Sequence, residues 1–107
     1  ADGGLVGPLA THTILQFKFD LAIIGCSALD IEGDLLDFDI QEVGVSQAIL
    51  QHSRRTYLVA DASKLQRSAP ARIGSLEALE AVFTDADLPG DLLEKCSTWQ
   101  TEVVLAR

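Results

Sequence analysis

Methionine is absent from this chain, aromatic residues make up only 6% of it, and its 107 residues include just two cysteines and eight basic side chains. Each shortage removes a class of protein. Cys26 and Cys96 stand far apart, with no CxxC or Cys/His spacing, so neither a zinc centre nor a disulfide framework is indicated and buried free thiols are expected. Sixteen acidic residues against eight basic ones give a net charge of -8, which opposes a direct grip on nucleic acid, because phosphate contacts need clustered Lys and Arg. The scarcity of aromatics beside abundant Ala, Val, Ile and Leu favours layered α/β packing over a β sandwich. No apolar run approaches the roughly 20 residues that cross a bilayer. The start carries no basic stretch followed by a signal-type apolar segment, which predicts a cytoplasmic protein with no membrane partner. Opening on ADGGLVG without an initiator residue, the sequence reads as a fragment of a longer protein.

What is present is an alternation of short apolar runs with helical patterns. LAIIG (21–25), TYLVA (56–60), AVF (81–83) and EVVLA (102–106) are continuous apolar runs of the kind that strands covered on both faces show. Before the first of them, Pro8 to Lys18 places Leu9, Ile14, Leu15 and Phe17 on one helical face. Between the first two, Asp39 and Glu42 have capping-box spacing ahead of an apolar stripe at Ile40, Val43, Ala48, Ile49 and Leu50. A basic exit, His52-Ser53-Arg54-Arg55, follows that stripe. Ser75 can cap a short helix through Glu80, and Pro89 can open another that runs to about Cys96. The order α, then β-α-β-α-β-α-β, predicts an α/β fold with a mostly parallel sheet, right-handed crossovers and flanking helices. It forms one globular unit, because 107 residues are too few for two.

In such sheets ligands bind beyond the carboxyl ends of the strands. The first run leads into Gly25-Cys26-Ser27-Ala28-Leu29-Asp30-Ile31-Glu32-Gly33, the second into Asp61-Ala62-Ser63-Lys64 and the third into Thr84-Asp85-Ala86-Asp87. Lys64 is the one cation among these ends, so it either neutralises a phosphate with help from backbone amides near Gly3-Gly4 and Gly25 or is a solvated surface lysine. Ser27, Asp30 and Gly33 either bond ligand hydroxyls or form a capped turn. The acids at 30, 32, 34, 37, 39 and 42 lack EF-hand spacing and an accompanying His, so a solvated acidic loop is favoured and no metal is expected. His12 and His52 belong to no Ser or Cys triad pattern.

LVADASKL followed by ARIGSLEALEAVFTD, with DLAIIGCSALDIEGDLLDFDIQEVGVSQAIL upstream, resembles the C-terminal sensor domains of DeoR-family bacterial transcriptional repressors. The match runs in order through nearly the whole chain. GDLLDFDIQEV, with ADGG at the start, is similar to the branch of that family that answers to glycerol 3-phosphate. The resemblance implies a fold related to ribose-5-phosphate isomerases, of which residues 1–107 would be the C-terminal part. It also implies a winged helix-turn-helix domain N-terminal to this chain, through which alone operator DNA would be bound. The first strands of the sensor, with a DSGTT-like phosphate loop, would be missing too, leaving an exposed sheet edge.

The resemblance further implies an effector site at Gly4, Gly25, Ser27, Asp30, Gly33, Glu42, Asp61 and Lys64, with Lys64 on the phosphate of a sugar or polyol such as glycerol 3-phosphate. Where the isomerases carry a DGAD motif, this chain has Ile24-Gly25-Cys26-Ser27, and Asp37 stands near the place of their lysine, although Glu42 matches a catalytic glutamate. Most of the proton-abstracting set is therefore gone, which predicts binding without turnover, no catalytic residues and no cofactor. Ala28 replaces the glycine usual after the serine of the repressors' GxSG, which bears on any positive φ at that point. The alternatives are an active sugar-phosphate isomerase, or an oligomerisation module with a degenerate pocket. Repressors of this kind act as homo-oligomers, and the same is expected here.

Overall fold

The computed structural model describes residues 7–106. Four strands, β1 (Phe19–Ile24), β4 (Ser53–Val59), β6 (Ala81–Thr84) and β7 (Glu102–Leu105), form a parallel sheet in the order β1-β4-β6-β7. They are the four apolar runs of the sequence, shifted by up to three residues. α1 (Pro8–Ile14) precedes the sheet, α2 (Ile40–His52) joins β1 to β4, and α3 (Gly90–Trp99) joins β6 to β7. The fold is α/β, with helices flanking a parallel sheet, as the alternation of runs predicts.

Three local expectations are corrected. The expected α1 stripe is not buried: the helix stops at Ile14, only Ala10 is buried, and Leu9, Leu15 and Phe17 are exposed. Ser75 does cap a short helix, but a 3-10 turn that ends at Ala78 instead of running through Glu80. It ends β5 (Ala71–Ser75), and its hydroxyl accepts the Glu77 N–H at the head of a single 3-10 turn, Leu76–Ala78. Arg54 and Arg55 do not trail from a helix but lie in β4, because α2 gives way to extended backbone at Ser53.

A second sheet was not legible in the sequence. β2 (Ala28–Leu29), β3 (Asp34–Asp37) and β5 form an antiparallel sheet in the order β2-β3-β5, with a register shift between Leu35 and Leu36. These strands are short, and the apolar pair Leu35-Leu36 between two aspartates shows no period-2 signal. One core unites both sheets and the helices: Ile24, Leu58 and Val82 of the parallel sheet pack with Leu29, Leu35 and Ile73 of the small one, Val43 of α2, and Leu92 and Cys96 of α3. At the base of this core, the buried Thr101 hydroxyl lies 2.6 Å from the Leu76 carbonyl and 3.2 Å from that of Leu79, anchoring the entry to β7 to the 3-10 turn.

Candidate effector site at the carboxyl ends of β1 and β4

β1 ends at Ile24, and the chain turns through Gly25-Cys26-Ser27 into β2. Ser27 is held on both sides, since its N–H donates to the Leu36 carbonyl at 3.0 Å and its hydroxyl to Asp37 Oδ1 at 2.9 Å. The same carboxylate oxygen accepts the Phe38 N–H at 2.7 Å, so Asp37 fixes the end of β3 against the end of β1. The antiparallel pairing of β2 with β3 brings positions 27 and 37 together, which explains why sequence reading did not link them.

β4 ends at Val59 and leads through Ala60 into Asp61, which caps the 3-10 turn Ala62–Gln66 by accepting the N–H of Ser63 at 2.9 Å and, in a short contact, its hydroxyl. Those bonds to Ser63 stabilise the carboxylate and hold the pKa of Asp61 below its ordinary value, with smaller help from Lys64 and Arg67. Asp85, beyond β6, accepts the Ala62 N–H at 2.8 Å and ties this turn to the next strand end. Between Ala60, Asp61, Thr84 and Asp85 lies an open cleft of about 220 Å³.

Lys64 stands in this turn half-buried, and among the described residues no hydrogen bond or ion pair holds its ammonium group. Its position shows in the behaviour of Cys26. Burial pushes that thiol up to about 11, opposed chiefly by the charge of Lys64 and reinforced by those of Asp37 and Asp61. Asp37 meets the turn after β1 through Ser27, Asp61 and Lys64 follow the end of the neighbouring strand β4, and Cys26 stays a protonated packing group rather than a nucleophile. The structure therefore brings Gly25, Ser27, Asp61 and Lys64 to one end of the sheet. Glu42, half-buried in the first turn of α2 just after the Asp37–Asp39 corner, lies at that end as well. Asp39 caps this helix through the Gln41 N–H, whereas Glu42 makes no return bond among the described residues.

Asp30 and Gly33 are placed elsewhere. The hairpin β2-β3 runs back along the sheet, and its turn lies against Trp99, the last residue of α3, at the amino ends of the strands. Asp30 Oδ1 accepts the N–H groups of Glu32 and Asp34 at 3.0 and 2.9 Å, and Gly33, at φ +89°, presses on the Trp99 ring. Their observed work is the capped turn. Asp34 in the same hairpin is paired with Arg72 at 2.8 Å. Gly4 lies outside the described residues. A larger groove of about 450 Å³ between α1 and α2, lined by Pro8, Thr11, Leu15, Ile40 and Gly44 among others, is mostly apolar and offers no Lys or Arg to an anion.

The model of the DeoR C-terminal sensor domain matches residues 1–86, most of the chain. The chain belongs to the DeoR C-terminal sensor-domain family. It is 43% identical over 104 residues, 97% of its length, to the glycerol-3-phosphate regulon repressor of Haemophilus influenzae, and 41% identical over 93 residues, 87% of its length, to that of Escherichia coli. It is 32% identical over 104 residues to the HTH-type transcriptional repressor CsqR of E. coli. The chain spans about 40% of the length of these relatives, 40%, 37% and 40% in turn. All three are named as repressors. No helix among the described residues is long and apolar enough to cross a membrane.

Proposed function

We propose that this member of the DeoR sensor family is the effector-binding part of a longer, cytoplasmic transcriptional repressor, and that its effector is a phosphorylated sugar or polyol such as glycerol 3-phosphate. The observation that carries this reading is the placement of Ser27, Asp61 and Lys64 at the carboxyl ends of the paired strands β1 and β4, where parallel sheets place their ligands, with no partner for the Lys64 ammonium group among the described residues. Lys64 supplies the point charge for the phosphate. Asp61, Ser27 and Glu42 position hydroxyl groups. The names of the relatives support glycerol 3-phosphate over other small phosphorylated polyols.

Effector binding is not followed by turnover, because the turn after β1 lacks the acids that would move a proton. The operator is gripped by a separate N-terminal winged helix-turn-helix domain, since the net charge of -8 suits this chain to no phosphate backbone. The repressor works as a homo-oligomer in which the effector shifts the population of DNA-binding arrangements. Titration calorimetry tests the reading: glycerol 3-phosphate gives saturable heat, glycerol gives none, and inorganic phosphate binds more weakly than the ester. Equal responses to glycerol and its phosphate would overturn the phosphate-anchored site.

A further inference from the structure

Ser27, just beyond β1, has no donor left for a ligand. Its N–H goes to the Leu36 carbonyl at 3.0 Å and its hydroxyl proton to Asp37 Oδ1 at 2.9 Å. The direction of the second bond is fixed, because a carboxylate can only accept. Nothing among the described residues donates to Ser27 Oγ in return, so its lone pairs stay open. Asp37 is divided in the same way. Oδ1 receives both the Ser27 hydroxyl and the Phe38 N–H, while Oδ2 has no partner among the described residues. Both side chains are half-buried, so solvent and small ligands reach them.

What fits two neighbouring acceptors is a group that donates. A phosphate, a carboxylate or a carbonyl would set acceptor against acceptor and leave the pair unsatisfied, and the two anions would add like charge against Asp37. Free hydroxyl groups donate to both oxygens. A metal ion would also seek acceptors, but no group of three or more His, Cys, Asp or Glu among the described residues is arranged to hold one. The cationic end of the site lies close by. Ser27 leads into β2, and β2 packs against the 3-10 turn Ala62–Gln66 that carries Lys64. The charges of Lys64 and Asp37 both reach the Cys26 thiol next to Ser27, with opposite effects.

We infer that Asp37 is a specificity-determining residue of the effector site. By taking the Ser27 proton it leaves Ser27 Oγ and its own Oδ2 as an acceptor pair, which receives the hydroxyl-bearing end of a polyol monophosphate and turns away a carbonyl, a carboxylate or a second phosphate. The ligand then lies with its phosphate toward Lys64 and its hydroxyls toward β3. The inference rests on the reading of these strand ends as the effector site, and it narrows the ligand from phosphorylated metabolites in general to those whose far end donates hydrogen bonds.

The test is calorimetry on the full-length protein with four probes: glycerol 3-phosphate, dihydroxyacetone phosphate, 3-phosphoglycerate and inorganic phosphate. Dihydroxyacetone phosphate replaces one hydroxyl of the polyol by a carbonyl, and 3-phosphoglycerate replaces the other by a carboxylate. Each binds the unaltered protein roughly 10- to 100-fold more weakly than glycerol 3-phosphate, because a donor has become an acceptor. In Asp37→Asn the side-chain amide offers a donor, so the preference collapses toward equality. Inorganic phosphate binds this variant at least as tightly as the parent, since a negative charge has left the neighbourhood of Lys64, whereas a merely damaged fold would weaken every probe. Ser27→Ala removes the other half of the pair and gives a second, independent loss of preference. Equal affinity of the three esters for the unaltered protein, or a preference that survives both substitutions, overturns the inference and leaves a phosphate-anchored site standing. No response to any of the four probes removes the effector site itself, and the inference with it.

Discussion

Gly33→Ala is expected to lower the stability of the domain by about 2–4 kcal/mol, the sum of a left-handed backbone conformation imposed on an L side chain and overpacking against a neighbour. Gly33 has φ +89°, and a Cβ built there falls 2.8 Å from a ring carbon of Trp99 and 3.5 Å from a Leu92 methyl. Its carbonyl also accepts the Leu76 N–H at 2.8 Å, so the hairpin turn cannot swing away without releasing the 3-10 turn before β6. In a thermal melt the expected loss is roughly 10–20 °C for a domain of this size. Gly25→Ala is the control, because a Cβ at Gly25 meets nothing within 4 Å. A Gly33→Ala protein that melts with the parent would show that the turn can be rebuilt without Trp99 giving way. Because the turn lies at the amino ends of the strands, the folded fraction of the variant keeps its affinity for the effector.

Lys64→Ala reverses this pattern, sparing stability and removing binding. The Lys64 ammonium group supports no hydrogen bond or ion pair among the described residues, so the melt is unchanged. A charge-assisted contact to a phosphate contributes about 1.5–3 kcal/mol, so affinity for glycerol 3-phosphate falls roughly 10- to 100-fold. Lys64→Arg retains part of it, since the charge survives but the compact ammonium geometry does not. The salt dependence of binding shrinks with the charge removed. Calorimetry on the three proteins reads these outcomes. Unaltered affinity in Lys64→Ala would remove this side chain from the site.

The parallel sheet was legible because its strands are continuous apolar runs: TYLVA and AVF place Leu58 and Val82 in the core with no polar residue between their neighbours. The antiparallel sheet was not, because DLLD and ARIGS owe their strand conformation to pairing with each other, a tertiary cause with no local signature. The site divides the same way. Lys64 and Asp61 follow a strand end directly and were found from that rule. Asp37 reaches Ser27 only through the β2-β3 pairing, and Asp85 reaches Ala62 across 23 positions of sequence. Asp30 and Gly33 share a loop with Ser27 in the sequence, yet the hairpin carries them to the far end of the sheet. The apolar stripe before β1 misled because spacing fixes which residues share a helical face, not whether anything packs against it, and Leu9 and Phe17 remain exposed.

The central claim is that a phosphorylated polyol is held where β1 and β4 end, and a titration of the isotopically labelled chain with glycerol 3-phosphate, followed by amide chemical shifts, tests it most directly. Saturable shifts are expected at Gly25, Cys26, Ser27 and the turn from Asp61 to Lys64, with the Gly33 amide and the Trp99 indole unmoved. Shifts centred on Gly33 and Trp99, or on the groove between α1 and α2, would contradict it.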